Sequence, residues 1–408
     1  MFSFGGVKPS PMLVIFFVVM SSGLGFGLIL PPFMFAAEDL GASPMVAAFI
    51  ISTFSLGQFV ANPLWGRLSD RIGRRPVLLM TIFGQIIAYV VMALADNLWV
   101  LGGARLATGL LAGNFAAAVS YVADITPPEK RAKGMGLVGG AVSLGFMIGP
   151  ALGGILGGNG VDGHSMFLPS LAAAGVALIT FFGVLICLQE SHSAELQAKA
   201  KVYQEKVGGG WSSIKHVLSR PFLAQMVLMG FIVFFVMAMF ETIMPLWSAA
   251  RFQWTSEQVG FIFMYLGMIV MVVQLGLVGR LTPILGEGRL LMIAVASYSA
   301  GLVIMTLAPT WHWMIVGITF TGAAGALFNT VAVSWVSRHA GEQERGTVIG
   351  VYQSFVYLGR AIGPTFSGLM FQTLGVNSPL LLGAAVLVPC FFIVVSVRRR
   401  SMRAGVSG

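Results

Sequence analysis

The sequence GRLSDRIGRRP, residues 66–76, lies between two apolar stretches, 45–65 and 76–94. Gly66 and Gly73 permit a compact reversal of the chain, and four arginines make the segment strongly basic. Each flanking stretch has about 20 residues, the length at which a helix crosses a hydrocarbon core of roughly 30 Å. The segment therefore predicts a short loop that joins two transmembrane helices and lies at one face of a membrane.

The composition of the whole chain also indicates a membrane protein. Of its 408 residues 57% are hydrophobic and only 10% are charged, and the mean hydropathy is +0.88. Soluble proteins carry roughly a quarter charged residues, so most of this surface must face lipid. Intrinsic disorder, a secreted disulfide scaffold and an ordinary soluble enzyme are excluded. Cys187 and Cys390 lie in apolar runs and predict neither a disulfide nor a metal site.

Twelve apolar runs are long enough to cross the membrane. They must be helices, because backbone amides have no water partner in lipid. We expect the spans at 11–34, 45–65, 76–94, 98–122, 134–158, 166–188, 221–247, 258–278, 289–307, 312–335, 347–371 and 379–397.

Positive charge is distributed unequally between the two sides of these spans. If the connecting segments alternate between sides, one side receives 21 of the 24 Lys and Arg residues, counting Arg289 at the end of its span, and leaves only Arg105, Arg251 and Arg360. We call this side the basic face. Since cytoplasmic loops carry the excess of Lys and Arg, we expect both termini in the cytoplasm. The same bias explains the net charge of +9 without nucleic acid.

Local patterns recur at a fixed distance along the chain, which indicates an internal duplication. Gly145-x-x-x-Gly149-Pro150-x-x-x-Gly154 returns 214 residues later as Gly359-x-x-x-Gly363-Pro364-x-x-x-Gly368, and Gly66-Arg67-Leu68 returns 213 residues later as Gly279-Arg280-Leu281. We predict an N-terminal six-helix bundle at 1–188, a cytoplasmic linker at 189–220 and a C-terminal six-helix bundle at 221–408. The expected fold is an all-α integral membrane fold, with twelve transmembrane helices in two pseudo-symmetric bundles around a central cavity. This arrangement suits alternating access better than a continuous pore.

The loop and the duplication resemble the major facilitator superfamily over essentially the whole chain, and within it the twelve-helix drug:proton antiporters of multidrug and tetracycline-exporter type. Residues 66–76 are similar to that superfamily's cytoplasmic loop signature. The resemblance implies that Asp70 holds the two halves together when the cavity opens outward. The remaining residues of this gate motif are Gly66, Arg71, Gly73, Arg74 and Arg75. The second copy has Pro283 in place of Asp and Glu287 in place of Arg74, so we expect this latch in one half only.

A glycine-rich motif in the fifth span resembles the one that distinguishes proton-coupled drug exporters from uptake members. Its residues are Gly145, Gly149, Pro150, Gly153 and Gly154. The resemblance implies export. Physically, glycines four apart bring helix backbones into close contact and the proline interrupts a hydrogen bond, so a packing face without bearing on direction is the alternative.

Three charged residues lie deep in apolar sequence: Arg105, Glu241 and Arg360. Arg105 lies in a stretch that resembles the superfamily's proton-transfer motif. A buried arginine needs a partner or a water-filled cavity, and the alternative is that its side chain extends to the membrane surface. Low dielectric favours a neutral carboxyl group, the condition for loading and releasing a proton. Glu241 is therefore the leading proton-coupling candidate, and a static ion pair with Arg360 is the alternative.

Asp124 joins the proton-coupling candidates from the end of the fourth span, in a stretch that resembles the matching loop of tetracycline exporters. Those exporters carry an acidic residue in the first helix where this chain has Ser22, which argues against tetracycline itself as the substrate. Met237 and Met239, with flexible thioethers, suit a cavity that adapts to several apolar compounds, although ordinary helix packing is equally open. The polar residues expected to line the cavity are Asn114, Asn329, Gln353 and Tyr357, with Gln58, Asn62 and Tyr121 as further candidates.

The predicted function is proton-coupled export of lipophilic drugs by alternating access. The first alternative is transport of a small metabolite such as a sugar, amino acid or organic acid, in which Arg105 and Arg360 could bind an anion. A non-transporting receptor or membrane enzyme and a channel are more remote. No phosphate-binding Gly-Lys-Ser/Thr loop or metal motif occurs, so we expect no catalysis, no metal and no cofactor, with the proton gradient as energy source. The expected partners are a small-molecule substrate, protons and lipid, with no nucleic acid, for a monomer in the bacterial inner membrane.

Overall fold

The protein is described here from a computed structural model, which covers residues 10–127, 131–158, 165–191, 211–340 and 345–403. The regular elements in this part of the chain are all helices. They are α1 Pro11–Asp39, α2 Pro44–Ile72, α3 Arg74–Ala93, α4 Leu98–Leu110, α5 Asn114–Ile125, α6 Arg131–Leu156, α7 Phe167–Cys187, α8 Trp211–Leu218, α9 Pro221–Phe252, α10 Ser256–Val272, α11 Val278–Leu285, α12 Glu287–Leu307, α13 Trp311–His339, α14 Arg345–Leu374 and α15 Ser378–Arg403.

These helices form the predicted transmembrane spans. The fourth span consists of α4 and α5, and the eighth consists of α10 and α11 joined by a π-helical turn, Val273–Leu277. Eleven spans among the described residues are long and apolar enough to cross a membrane. The remaining one, α14, has 30 residues and carries the intramembrane charge Arg360. The predicted all-α membrane fold is confirmed. Of the predicted linker 189–220, residues 192–210 lie outside the described part of the chain.

The reversal at the basic face differs from the predicted loop. Helix α2 continues to Ile72 and α3 starts at Arg74, so that Gly73 alone turns the chain, with φ of 102°. Only glycine adopts this conformation without strain. Gly66 lies inside α2 with open space around it, so its predicted part in the turn is wrong. In the second half Gly286 makes the same turn with φ of 74°.

Glycines hold the helices of each half together. A Cβ atom added to Gly145 or Gly149 would lie 2.5 and 2.7 Å from the carbonyl oxygens of Met20 and Leu24 in α1. At Gly359, the counterpart of Gly145, it would lie 2.6 Å from the Phe231 oxygen in α9. These positions exclude any side chain, because real Cβ atoms do not approach a backbone oxygen so closely. The sequence repeat is therefore repeated in the packing of α6 on α1 and of α14 on α9.

Two further glycines join the halves to each other. A Cβ at Gly154 of α6 would lie 2.5 Å from the Ser256 oxygen at the start of α10. A Cβ at Gly368 of α14 would lie 2.6 Å from the Pro44 oxygen at the start of α2. Both contacts lie at the end of the molecule opposite the basic face, where α2 and α10 begin. Further towards the middle, hydrogen bonds link Ser52 to Thr365 at 3.2 Å and Ser143 to Gln274 at 3.3 Å. In this conformation the halves are thus closed against each other on the face opposite the basic face.

Candidate transport site

A small cavity of about 20 Å³ lies between the two halves. Its walls come from α1, α2 and α4 on one side and from α9 and α14 on the other. The lining residues are Phe26, Leu30, Ile51, Ser55, Arg105, Ala238, Glu241, Thr242, Arg360 and Pro364. All three charges that the sequence places deep in apolar spans therefore meet at one cavity. Its volume suffices for about one water molecule.

Glu241 and Arg360 form an ion pair across the cavity wall. Nη2 of Arg360 donates to Oε2 of Glu241 at 2.8 Å, and the two side chains are 19% and 20% exposed. Of the two interpretations of Glu241, the ion pair is formed in this conformation, and it ties α9 to α14. Removing one partner of a buried pair typically costs about 3–5 kcal/mol, because a charge is left uncompensated.

Arg105 is surrounded by aromatic rings instead of carboxylates. Its guanidinium carbon lies 4.6 Å from the centre of the Phe54 ring, 5.2 Å from Phe26 and 5.6 Å from Phe33. The residue is only 1% exposed, so the alternative that it extends to the membrane surface is wrong. Nε and Nη2 have no hydrogen-bond partner among the described residues. Arg105 is thus a buried cation with two unused donors.

The other predicted cavity residues do not line this cavity. Asn114 is buried and donates to Ser22 and Gln85, both at 3.0 Å, within the first half. Met239 is buried in the helix core, and Met237 packs near Gly325 of α13. For these residues the structure gives the ordinary packing interpretation.

The remaining polar candidates lie elsewhere along the helices. Tyr357 of α14 lies near Asn62 of α2, in the other half. Asn329 is exposed on α13, and Gln353 is half-buried on α14. Tyr121 donates to the Gln189 oxygen at 2.8 Å, near the basic face. Helical periodicity in the sequence does not show which side of each helix faces the cavity and which sides face other helices.

At the basic face, Arg74 organises the gate motif within the first half. Its guanidinium pairs with Asp70 and, at 3.1 Å, with Asp124 at the end of α5. Asp124 also accepts a hydrogen bond from Ser191 at 3.2 Å. Asp124 therefore lies with the gate motif and apart from Glu241. The backbone amides of Arg74 and Arg75 both donate to the Glu190 carboxylate, at 2.8 and 3.0 Å.

A matching ion pair in the second half was not anticipated from the sequence. Nε of Arg338 lies 3.4 Å from Oε1 of Glu287, and Ser334 donates to the same oxygen at 2.7 Å. Glu287 occupies the position of Arg74 shifted by 213 residues, and Arg338 that of Asp124 shifted by 214. The same offsets that revealed the repeat could have revealed this pair with reversed charges.

Two other features of the described residues bear on the location of the site. A larger groove of about 530 Å³ lies between α12 and α15, but its lining from Val295 to Phe392 is almost entirely aliphatic and aromatic. We place the candidate site at the central cavity, because the three charges that lie deep in apolar spans, Arg105, Glu241 and Arg360, meet there between the two halves. Within the described part of the chain, no three His, Cys, Asp or Glu side chains are grouped as metal ligands would be.

Comparison with known proteins agrees with this architecture. The family model described as Major Facilitator Superfamily matches residues 15–308 and 276–406. The chain is 31% identical over 381 residues to the class G tetracycline resistance protein of Vibrio anguillarum, covering 90% of this chain and 92% of that protein. It is 27% identical over 370 residues to multidrug resistance protein 2 of Bacillus subtilis (strain 168), covering 90% and 89%.

A solved structure shares the fold. The human organic anion transporter MFSD10 (TETRAN) matches with a TM-score of 0.70 at 23% identity, covering 95% of this chain and 100% of that chain. The family match and the resistance-protein relatives both identify a multi-pass membrane transporter. The charged residues at the cavity between the halves are compatible with this identification. This chain belongs to the Major Facilitator Superfamily, with tetracycline and multidrug resistance proteins among its relatives.

Proposed function

We propose that this protein exports lipophilic drugs from a bacterial cell in exchange for protons, by alternating access. It would reside in the inner membrane with both termini in the cytoplasm, as the bias of Lys and Arg to one side predicts. The observation that carries the proposal is the Glu241–Arg360 ion pair at a cavity between the two halves. The proton gradient supplies the energy, no cofactor is required, and a single chain is the transporting unit.

Protonation of Glu241 would change the charge balance of the cavity. With Glu241 ionised, its charge compensates Arg360 at 2.8 Å. A neutral Glu241 leaves both Arg360 and Arg105 uncompensated at the same cavity. Because unpaired buried charge is costly, this state favours a rearrangement that admits water or a new partner. A proton on Glu241 can therefore be coupled to the relative position of the halves.

The contact between the halves suits a rocking movement. It is made by small residues, Gly154 against α10 and Gly368 against α2, in equivalent positions of the two repeats. Small residues let helices approach closely without interlocking side chains. Separation at these two contacts would open the cavity on the face opposite the basic face.

The names of the relatives support drugs as the substrate class, and the cavity lining is compatible with them. Phe26, Leu30 and Ile51 provide apolar surface beside the charges. At about 20 Å³ the cavity must widen to hold a drug, since drug-sized ligands occupy roughly 300–1,000 Å³. Tetracycline remains disfavoured, because Ser22 is a neutral side chain that accepts a hydrogen bond from Asn114.

The experiment uses proteoliposomes with an acid interior and a pH-sensitive dye inside. Lipophilic cations, tetracyclines, phenicols, sugars and amino acids are added one at a time. We expect several unrelated drugs to release protons, and we expect Glu241→Gln to abolish this release while the variant remains folded. Glu38→Gln, on the exposed end of α1, is the matched control and should transport normally. Full proton-driven transport by Glu241→Gln would contradict the proposed coupling.

The alternative of a small metabolite as substrate is favoured by the two arginines that line the cavity, Arg105 and Arg360, since they could bind an anionic metabolite. It predicts a response to one sugar, amino acid or organic acid and to none of the drugs. The same panel of compounds therefore distinguishes the two functions without a further variant.

A further inference from the structure

The ion pair of Glu241 with Arg360 leaves one charge at the cavity without a counter-ion. Three ionisable side chains line the cavity, two arginines and one glutamate. Glu241 is engaged by Arg360 at 2.8 Å, whereas Arg105 contacts three phenylalanine rings. The cavity therefore carries a net positive charge when Glu241 is ionised, and this charge is concentrated on Arg105.

The rings stabilise the guanidinium only in part. Ring faces attract a cation through their π electrons, whereas an arginine within a membrane also needs partners for its N–H donors. Ring faces also interact with the charge as a whole and leave the N–H donors in the guanidinium plane unsatisfied. The unpaired nitrogens, Nε and Nη2, are neighbours on one edge of that plane. This edge presents two parallel N–H bonds, the geometry that a carboxylate accepts in bidentate fashion.

Both nitrogens are buried, so the cavity must widen before a ligand reaches this edge, and the surroundings of Arg105 then specify what can occupy it. Phe26, beside Arg105, also lines the cavity, together with Leu30 and Ile51, so the adjoining surface is apolar. A space of about 20 Å³ admits one small polar group while the rest of a ligand requires the cavity to widen. A fully hydrated inorganic ion gains little from such walls. An aromatic or aliphatic compound with one carboxylate satisfies both the donors and the apolar lining.

We propose that Arg105 is the binding site for a carboxylate group on the transported compound, so that amphipathic organic anions and zwitterions are preferred substrates. This inference rests on the proposed transport function and refines its substrate class. It assigns Arg105 to the substrate and leaves Glu241 and Arg360 to the proton. Each export cycle would then pair the substrate's negative charge with Arg105 while Arg360 remains balanced by Glu241.

The test compares an acid with its neutral amide on the full-length protein in lipid nanodiscs. The probes are radiolabelled 1-naphthoate and 1-naphthamide, which share one ring system and differ in charge. Equilibrium binding is measured by scintillation proximity. We expect naphthoate to bind the unmodified protein at least tenfold more tightly than naphthamide. We expect Arg105→Gln to lose at least tenfold in naphthoate affinity with no change for naphthamide.

Two further variants make the test specific. Arg105→Lys keeps the charge but lacks the parallel donors, so its naphthoate affinity should lie between those of the other two proteins. Arg251→Gln removes an arginine at the end of α9, away from the cavity, and should bind both probes normally. Thermal melting verifies that each variant is folded. If neither Arg105 variant folds, the acid–amide comparison on the unmodified protein decides.

The inference is overturned if acid and amide bind equally, if naphthoate shows no saturable binding, or if folded Arg105→Gln retains naphthoate affinity. These failures are separable from failure of the proposed function. Proton release by neutral or cationic drugs, with equal binding of the two probes, would leave drug/proton exchange intact and remove only the anion site. Naphthoate binding that depends on Arg105, without any drug-driven proton release, would leave the anion site intact and contradict drug/proton exchange.

Discussion

The two halves carry the same ion pair at the basic face with opposite polarity. In the first half a buried cation, Arg74, is held by Asp124 and Asp70. In the second half a buried anion, Glu287, only 1% exposed, meets Arg338, which is 61% exposed. In each half an ion pair joins the start of the third span to the end of the fourth, and the sign of the charges at the two places is reversed between the halves. The ion pair at the basic face is therefore built around a buried cation in the first half and around a buried anion in the second.

Reversing the charge of Arg74 removes the difference in polarity between the halves, and we expect it to cause the largest loss of stability. Arg74→Glu would place a third carboxylate beside Asp70 and Asp124. We expect a loss of about 3–5 kcal/mol in the free energy of unfolding, as for a broken buried pair. The measurement is thermal or denaturant unfolding in detergent, with gel filtration to quantify folded protein.

The double variant Arg74→Glu/Asp124→Arg is the control, because it copies the polarity of the second half. If polarity is interchangeable, it should recover at least half of the lost stability. No recovery would mean that Asp70 and Glu190, which also contact residues 74 and 75, specify a positive charge at this site.

Substitution of Gly154 and Gly368 compares the two halves at the face opposite the basic face, where each glycine contacts the other half. Gly154→Val and Gly368→Val each place a side chain against a backbone oxygen of the other half. We expect about 1–3 kcal/mol of lost stability from overpacking and a transport rate reduced at least tenfold, equally for both. Gly175→Val, in open space on α7, is the matched control. A large effect at only one interface glycine would show that the halves do not rock symmetrically.

The second-half pair gives the smallest expected effects. Arg338→Gln should cost about 1 kcal/mol or less, because an exposed partner is screened by water. Glu287→Gln should cost more, about 1–3 kcal/mol, since its oxygens are buried and one already lacks a partner among the described residues. A Ser334→Ala variant provides the reference for losing one hydrogen bond to Glu287. Equal costs for Arg338→Gln and Arg74→Gln would contradict the proposed asymmetry.

Much of the fold could be predicted, because span length and glycine spacing are local properties of the sequence. The break between α4 and α5 could not. There Nε1 of Trp65 donates to the Leu110 oxygen at 2.6 Å, and the ring fills the space beside Gly113. This contact comes from another helix, and no proline marks its position in the fourth span.

For the candidate site too, the sequence shows which residues are unusual, whereas the packing of the helices decides which of them face the cavity. Arg105, Glu241 and Arg360 were identified because a charge in an apolar span is conspicuous wherever it packs. Asn114 and Met239, which the sequence predicts at the cavity, do not line it in this conformation, since a polar or thioether side chain can equally face a neighbouring helix. Which face of a helix meets the centre is set by the packing of all twelve spans.

The aromatic environment of Arg105 has a consequence for how the chain enters the membrane during synthesis. Phe26, Phe33 and Phe54 all precede Arg105, so their spans are already made when the fourth span leaves the ribosome. Glu241, in contrast, precedes its counter-ion by 119 residues and must wait for α14. We expect a chain truncated after residue 127 to retain its fourth span in the membrane, and a chain truncated after residue 340 to retain its seventh span poorly. Glycosylation mapping of these nascent chains would measure the difference. Poorer retention of the seventh span would mean that the second half is the later and more error-prone part of assembly.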